Sequence, residues 1–129
     1  MSTNRGIAEI VLWVRDLGAA LRFYQDTLGL ERLSPPDMKA PIFLRAGSGA
    51  AGVPQMIVLV PLAADAPAFG QRNLHHLALE LAPEDFDREQ ARLQSLGFSI
   101  RSGKHPVVAS RTMYVNDPDG NEVEFICKA

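Results

Sequence analysis

The chain has one cysteine, Cys127, no long unbroken apolar run and no excess of positive charge. Each absence removes a class of protein. A single thiol cannot close an internal disulfide, which suits a reducing compartment and a fold held by burial alone. A membrane-spanning helix needs about 20 consecutive apolar residues, and no stretch approaches that. Thirteen Lys and Arg against 15 Asp and Glu give a formal net charge of −2. That balance leaves little with which to neutralise a phosphate backbone, so no nucleic-acid partner is expected. Residues 1–6 are polar and lack the apolar core of a signal peptide. There is no serine- or cysteine-centred nucleophile arrangement. The glycine-rich stretch 47–52 joins two strand-like runs and precedes no helix, so it reads as a flexible hairpin, not a phosphate cradle. The expectation is a soluble, cytoplasmic protein.

What is present is 129 residues, 47% of them hydrophobic, enough for one domain or for two small units sharing a core. The two halves read alike. Residues 7–14 form an apolar, strand-like run, followed by Asp16 as a helix N-cap. Leu17, Leu21, Tyr24 and Leu28 then recur at helical spacing, and Gly29 suits the left-handed residue that ends a helix. In the second half, 75–81 is strand-like, Pro83, Glu84 and Asp85 suit a helix start, Phe86, Leu93 and Leu96 mark a buried face, and Gly97 closes the helix. Leu28-Gly29-Leu30 and Leu96-Gly97-Phe98 lie 68 residues apart, and Glu9 and His76 lie 67 apart. Three short strand candidates follow each helix: 30–34, 41–46 and 55–60, then 98–101, 109–116 and 122–127. The spacing predicts an α+β fold of two tandem βαβββ modules, about 5–60 and 73–127, with a linker over 61–72. Neither half could bury its sheet alone.

Alternation assigns faces to these strands. Ile10, Leu12 and Val14 can cover the first helix, which leaves Glu9, Val11 and Trp13 on the other side. By the same rule His76, Ala78 and Glu80, then Glu122, Glu124 and Ile126, then Ser110, Thr112 and Tyr114 lie on the non-helix faces. If the sheets curve around a cleft, Glu9, His76, Glu124 and Tyr114 point into it. Carboxylates and an imidazole converging there are expected to bind a divalent cation. Trp13 and Met56 are expected in the core, Arg45 and Arg111 in solvent, and Glu84–Arg92 as a solvated helix face with local ion pairs.

Several motifs in this order resemble the vicinal oxygen chelate superfamily of glyoxalases, bleomycin- and fosfomycin-resistance proteins and extradiol dioxygenases. They are Glu9-Ile-Val-Leu-Trp-Val-Arg-Asp16, Phe23-Tyr24 with Leu28-Gly29-Leu30, His76-Leu-Ala-Leu79, and Asp117-Pro-Asp-Gly-Asn-Glu-Val-Glu124. The resemblance implies paired βαβββ modules with curved mixed sheets forming a cleft around a metal site. Carried over residue by residue, it implies Glu9, His76 and Glu124 as metal ligands. Glu9 stands where many members have His, and Val58 stands where glyoxalase I has a further glutamate. Such a ligand set suits Fe(II), Mn, Ni or Zn. Gly103-Lys-His105, Met113-Tyr114, Asp117-Pro118, Gly120 and Glu124 resemble the extradiol signature, which implies His105 and Tyr114 as pocket residues that hold oxygens and move protons.

The implied function is a metal-dependent enzyme, dioxygenase-like or glyoxalase-like lyase/isomerase, whose small oxygenated substrate chelates the metal. Two alternatives stay open: a non-catalytic drug-binding protein of the bleomycin-resistance type, and a thiol transferase of the fosfomycin-resistance type. Chains of this length in the superfamily commonly form homodimers, so a homodimer is expected. Whether Glu9 would meet His76 in its own chain or in a neighbour is open.

Overall fold

The computed structural model describes residues 3, 5–65 and 74–129, and the chain divides into two units. In the first, β1 (Glu9–Val14), β2 (Glu31–Arg32), β3 (Ile42–Gly47) and β4 (Gln55–Pro61) form one sheet in the order β1-β4-β3-β2. β1 runs parallel to β4, and β3 antiparallel to both β4 and β2. In the second, β5 (Leu77–Glu80), β6 (Arg101–Gly103), β7 (Ser110–Asn116) and β8 (Glu122–Lys128) repeat that plan in the order β5-β8-β7-β6. Again the first and last strands pair in parallel. A helix follows the opening strand of each unit, so both sheets are mixed and the predicted βαβββ pattern holds in each. The expected linker begins at Pro61, the last residue of β4; its residues 66–72 lie outside the described residues.

Period-two alternation explains the strand burial. In β1, Leu12 and Val14 are buried while Val11 and Trp13 face out, Trp13 at 58% exposure. Trp13 is therefore not a core residue: it lies on the same side of its strand as Glu9, where alternation places it. In the second unit Leu77, Met113, Val115, Val123, Phe125 and Cys127 are buried. Burying such side chains contributes roughly 1.5–3 kcal/mol each before chain entropy is counted.

The first helix departs from the expected single α-helix. It opens as α1 (Leu17–Leu21), with the Asp16 carboxylate accepting the Ala19 N–H at 3.0 Å. It then widens to π winding over Arg22–Thr27. Leu28 N–H reaches Phe23 O and Leu30 N–H reaches Tyr24 O, so the extra residue per turn persists to the helix end. The widening turns two adjacent aromatics inward: Phe23 and Tyr24 are buried and meet edge to face at 4.9 Å. The buried face is centred on Ala20, Phe23 and Tyr24, whereas Leu17, Leu21 and Leu28 are half-buried.

The second helix starts with a single 3-10 turn, Pro83–Asp85, and continues as α2 (Phe86–Ser95). Phe86 and Leu93 are buried, but Leu96 is 55% exposed because it is the C-cap. Phe98 N–H bonds Leu93 O, Gly97 N–H bonds Gln94 O, and Gly97 has φ +93°. This double closure satisfies the last carbonyls and needs a left-handed residue that glycine supplies without strain. Arg88 pairs with Asp85 and Arg92 with Glu89, the local pairs expected of a solvated face. Arg111 is not simply solvated: its guanidinium lies 4.3 Å over the Phe86 ring and bonds Asp87 at 2.6 Å. That hydrogen bond holds the Asp87 carboxyl below its ordinary range.

The turn between β7 and β8 is built around Asp117, which is buried. Its Oδ1 accepts the Asp119 and Asn121 N–H groups at 2.9 and 2.7 Å, and its Oδ2 accepts Asn121 Nδ2 at 2.9 Å. This locks the register that sets Tyr114 opposite Glu124. Asp117→Ala strands two backbone donors in a part-buried turn. It should lower unfolding stability by about 2 kcal/mol, read as a shift in the denaturation midpoint; an unchanged midpoint would remove the turn's structural role.

Candidate metal-binding site

Three of the predicted residues come together in the second unit. Glu124 lies on β8, between β5 and β7 in the sheet, beside Ala78 on one side and Tyr114 on the other. Its side chain is only 4% exposed, against 34% for His76, and His76 Nε2 stands 3.0 Å from Glu124 Oε1. The His76 and Tyr114 rings meet edge to face, with centroids 6.1 Å apart. A buried carboxylate demands a positive or hydrogen-bonding partner, and among the described contacts Glu124 has one, His76.

Two residues outside the expected ligand set of Glu9, His76 and Glu124 join this group. His75 Nδ1 lies 2.7 Å from His76 Nδ1, and one ligand atom each from His75, His76 and Glu122 fall within 4.8 Å of one another. Glu122 shares the parity of Glu124 along β8, a signal that was available in the sequence. Its carboxylate already has a cation, Arg101, whose Nη2 lies 3.2 Å from Oε1; the same guanidinium bonds Asn116 Oδ1 at 2.9 Å.

The donor set fits a divalent ion. The 3.0 Å between His76 Nε2 and Glu124 Oε1 is a hydrogen-bond length. It is equally the separation of two neighbouring donors each about 2.1 Å from one metal. For Nε2 to offer a lone pair, the ring proton must sit on Nδ1, and His75 Nδ1 is placed to accept it. That outer contact is how ligating histidines are commonly oriented.

Tyr114 is held by an absence. A side-chain carbon at Gly103 would stand 2.6 Å from Tyr114 Cε2, 3.2 Å from its hydroxyl and 3.3 Å from Thr112 Oγ1. Gly103 on β6 therefore leaves the space the phenol ring occupies, while the buried Thr112 hydroxyl beside it has no hydrogen-bond partner among the described residues. His105 stands apart from this group. Its Nδ1 accepts the Val107 and Val108 N–H groups at 3.1 and 2.9 Å. The ring thus orders its own loop and carries its proton on Nε2. No described contact joins it to His76, Glu124 or Tyr114.

Glu9 belongs to the first unit, where it heads β1 opposite Met56 and is exposed. The two sheets show what its position corresponds to. In the second, Glu124 pairs with Ala78, two residues after His76. In the first, Val58 pairs with Val11, two residues after Glu9. Glu9 is thus the counterpart of His76 and Val58 of Glu124, as the sequence repeat implies; Val58 is buried and offers no donor atom.

Comparison with known proteins agrees with the fold. Residues 6–125 match the Glyoxalase/Bleomycin resistance protein/Dioxygenase superfamily, and the chain belongs to it. A catechol-2,3-dioxygenase from Bacillus subtilis (strain 168) is 31% identical over 130 aligned residues, which cover 95% of this chain and 41% of that protein. The chain thus spans less than half the length of this relative. The crystal structure of a glyoxalase/dioxygenase from Nostoc punctiforme superposes with a TM-score of 0.74 at 24% identity, covering 97% of this chain and 92% of that one. The lactoylglutathione lyase of Agrobacterium tumefaciens gives a TM-score of 0.68 at 24% identity, covering 96% and 94%. Members of the superfamily bind small molecules, typically use a divalent metal and commonly form dimers. Among the described residues, no helix is long and apolar enough to cross a membrane.

Because β6 has an ordinary strand backbone at Gly103, alanine there tests the Tyr114 contact and little else. Gly103→Ala should displace the phenol ring, cost about 1–3 kcal/mol and shift the Tyr114 ring resonances in an NMR spectrum. Unchanged resonances would contradict the packing described.

Proposed function

We propose that this chain is a divalent-metal enzyme in which His76 and Glu124 bind the ion, with Glu9 as the third protein ligand, and that a small substrate reaches it through two neighbouring oxygens. The observation that carries the proposal is the buried Glu124 carboxylate, whose one described partner is the His76 Nε2 at 3.0 Å. For Glu9 the support is its equivalence to His76 in the repeated sheet. When bound, such an ion acts as a Lewis acid that stabilises negative charge developing on the substrate oxygens.

The chain's own residues would do the rest. His75 would accept a hydrogen bond from His76 Nδ1–H and so direct Nε2 toward the ion. Tyr114, edge-on to His76 and beside Glu124, would orient a substrate oxygen and hold or release a proton at its hydroxyl. His105, with Nδ1 engaged by its own loop, could offer only its Nε2 proton. Gly103 would keep the phenol in place without touching substrate. This set of groups serves ring-cleaving dioxygenase chemistry and glyoxalase-like lyase/isomerase chemistry alike, and the relative named for catechol favours an aromatic substrate with two neighbouring hydroxyls. A homodimer in the cytoplasm is part of the proposal.

A second ligand set has an observation of its own: the cluster His75, His76 and Glu122. It is disfavoured because Arg101 already compensates Glu122, which leaves Glu124 as the carboxylate in need of a cation.

Metal analysis of protein purified without chelator separates the two. About one equivalent per chain is expected in the unaltered protein and in Glu122→Gln, with near-complete loss in His76→Ala and in Glu124→Ala. His75→Ala should retain the site with affinity lowered about 10- to 100-fold. Full occupancy in Glu124→Ala with loss in Glu122→Gln would transfer the site to the second set; full occupancy in His76→Ala would overturn both.

A further inference from the structure

Further along the Glu124 face of the second sheet, the strands border a cavity of about 460 Å³. Ile126 of β8, Glu80 of β5 and Ser110 of β7 line it, with Val108 from the preceding loop and Lys128 at the strand end. Strand register places these groups on the same face as the candidate site. Glu80 pairs with Ile126 and Ser110 with Lys128, while Ala78 and Tyr114 both pair with Glu124. At about 3.3 Å per residue, Ile126 lies roughly 7 Å and Lys128 roughly 13 Å along the strand from Glu124. The volume falls within the range of small-molecule sites.

The two regions differ in chemistry. His76, Glu124 and Tyr114 offer charged and hydrogen-bonding atoms, as vicinal oxygens require. Val108 and Ile126 offer apolar surface, and Glu80 and Lys128 supply one charge of each sign, which gives no net preference for an ionic group. We infer that the substrate is elongated: its vicinal oxygens sit at His76, Glu124 and Tyr114, and an uncharged apolar body of about four to six carbons extends over Ile126 into this cavity. The inference rests on the metal-site proposal, and it adds that the substrate carries such a tail and that Ile126 and Val108 select for it.

The test compares catechol with catechol bearing a butyl chain at ring position 3 or 4. Binding to the zinc-loaded protein is measured by calorimetry, zinc being redox-inert. At least one butyl isomer should bind roughly tenfold or more tightly than catechol itself, from the added apolar burial. Ile126→Asn and, in the exposed loop, Val108→Asn should abolish that advantage, read as the ratio of butylcatechol to catechol affinity. If catechol binds and neither butyl isomer gains, the tail pocket is wrong and the metal site stands. A gain that survives both substitutions also overturns it, since the tail then lies elsewhere. If the protein takes up no zinc, the metal-site proposal fails and the inference fails with it; if zinc binds and neither catechol nor a butyl isomer does, the inference is overturned and the metal site stands.

Discussion

A carboxylate kept out of water on an interior strand of a sheet is the constraint on which the second unit depends. Glu124 is 4% exposed, flanked on both sides by paired strands. An isolated charge in such a place is too costly to persist, so something must compensate it. The surrounding sequence supplies that compensation and little else. His76 lies at hydrogen-bond distance, His75 backs His76, and the Asp117 turn fixes the register that brings β8 past Tyr114. Where the same strand position recurs in the first unit, Val58 takes the place of the carboxylate, and the constraint disappears. The repeat thus carries one fold twice but the buried charge once.

The same logic orders the groups around Glu124 by what each can do. Glu122 lies two residues away on the same face, yet Arg101 already pairs with it. Tyr114 reaches its place only because β6 carries no side chain at Gly103. His105 spends one ring nitrogen on two backbone donors, which removes that nitrogen from any proton exchange with a substrate. A carboxylate with no cation other than a histidine among the described residues, a phenol held by a missing side chain and a cavity further along β8 share one face of the second sheet.

Much of this was legible in the sequence, for identifiable reasons. Strand faces obey a two-residue period, so Glu9, Trp13, Glu124 and Tyr114 fell on the expected sides. Asp16 and Gly97 mark helix ends because their side-chain chemistry matches what a terminus needs. The π winding over 22–27 was not legible, because choosing it over α winding depends on how Phe23 and Tyr24 pack, a tertiary matter. The short strand expected at 98–101 forms at 101–103 because it is a three-residue exposed edge whose place is set by its pairing with β7. The His75–His76 contact escaped because alternation governs only residues inside a strand, and both precede Leu77, where β5 begins. The role of His105 depends on a side-chain-to-backbone contact that no spacing encodes.

The central claim is that His76 and Glu124 share one metal ion. Anomalous diffraction at the metal edge, from crystals grown with zinc or manganese, tests it most directly. The account predicts one strong peak per chain, about 2.0–2.3 Å from both His76 Nε2 and Glu124 Oε1. A peak bound instead by His75 and Glu122, or a fully dry His76–Glu124 hydrogen bond at saturating metal, would contradict it.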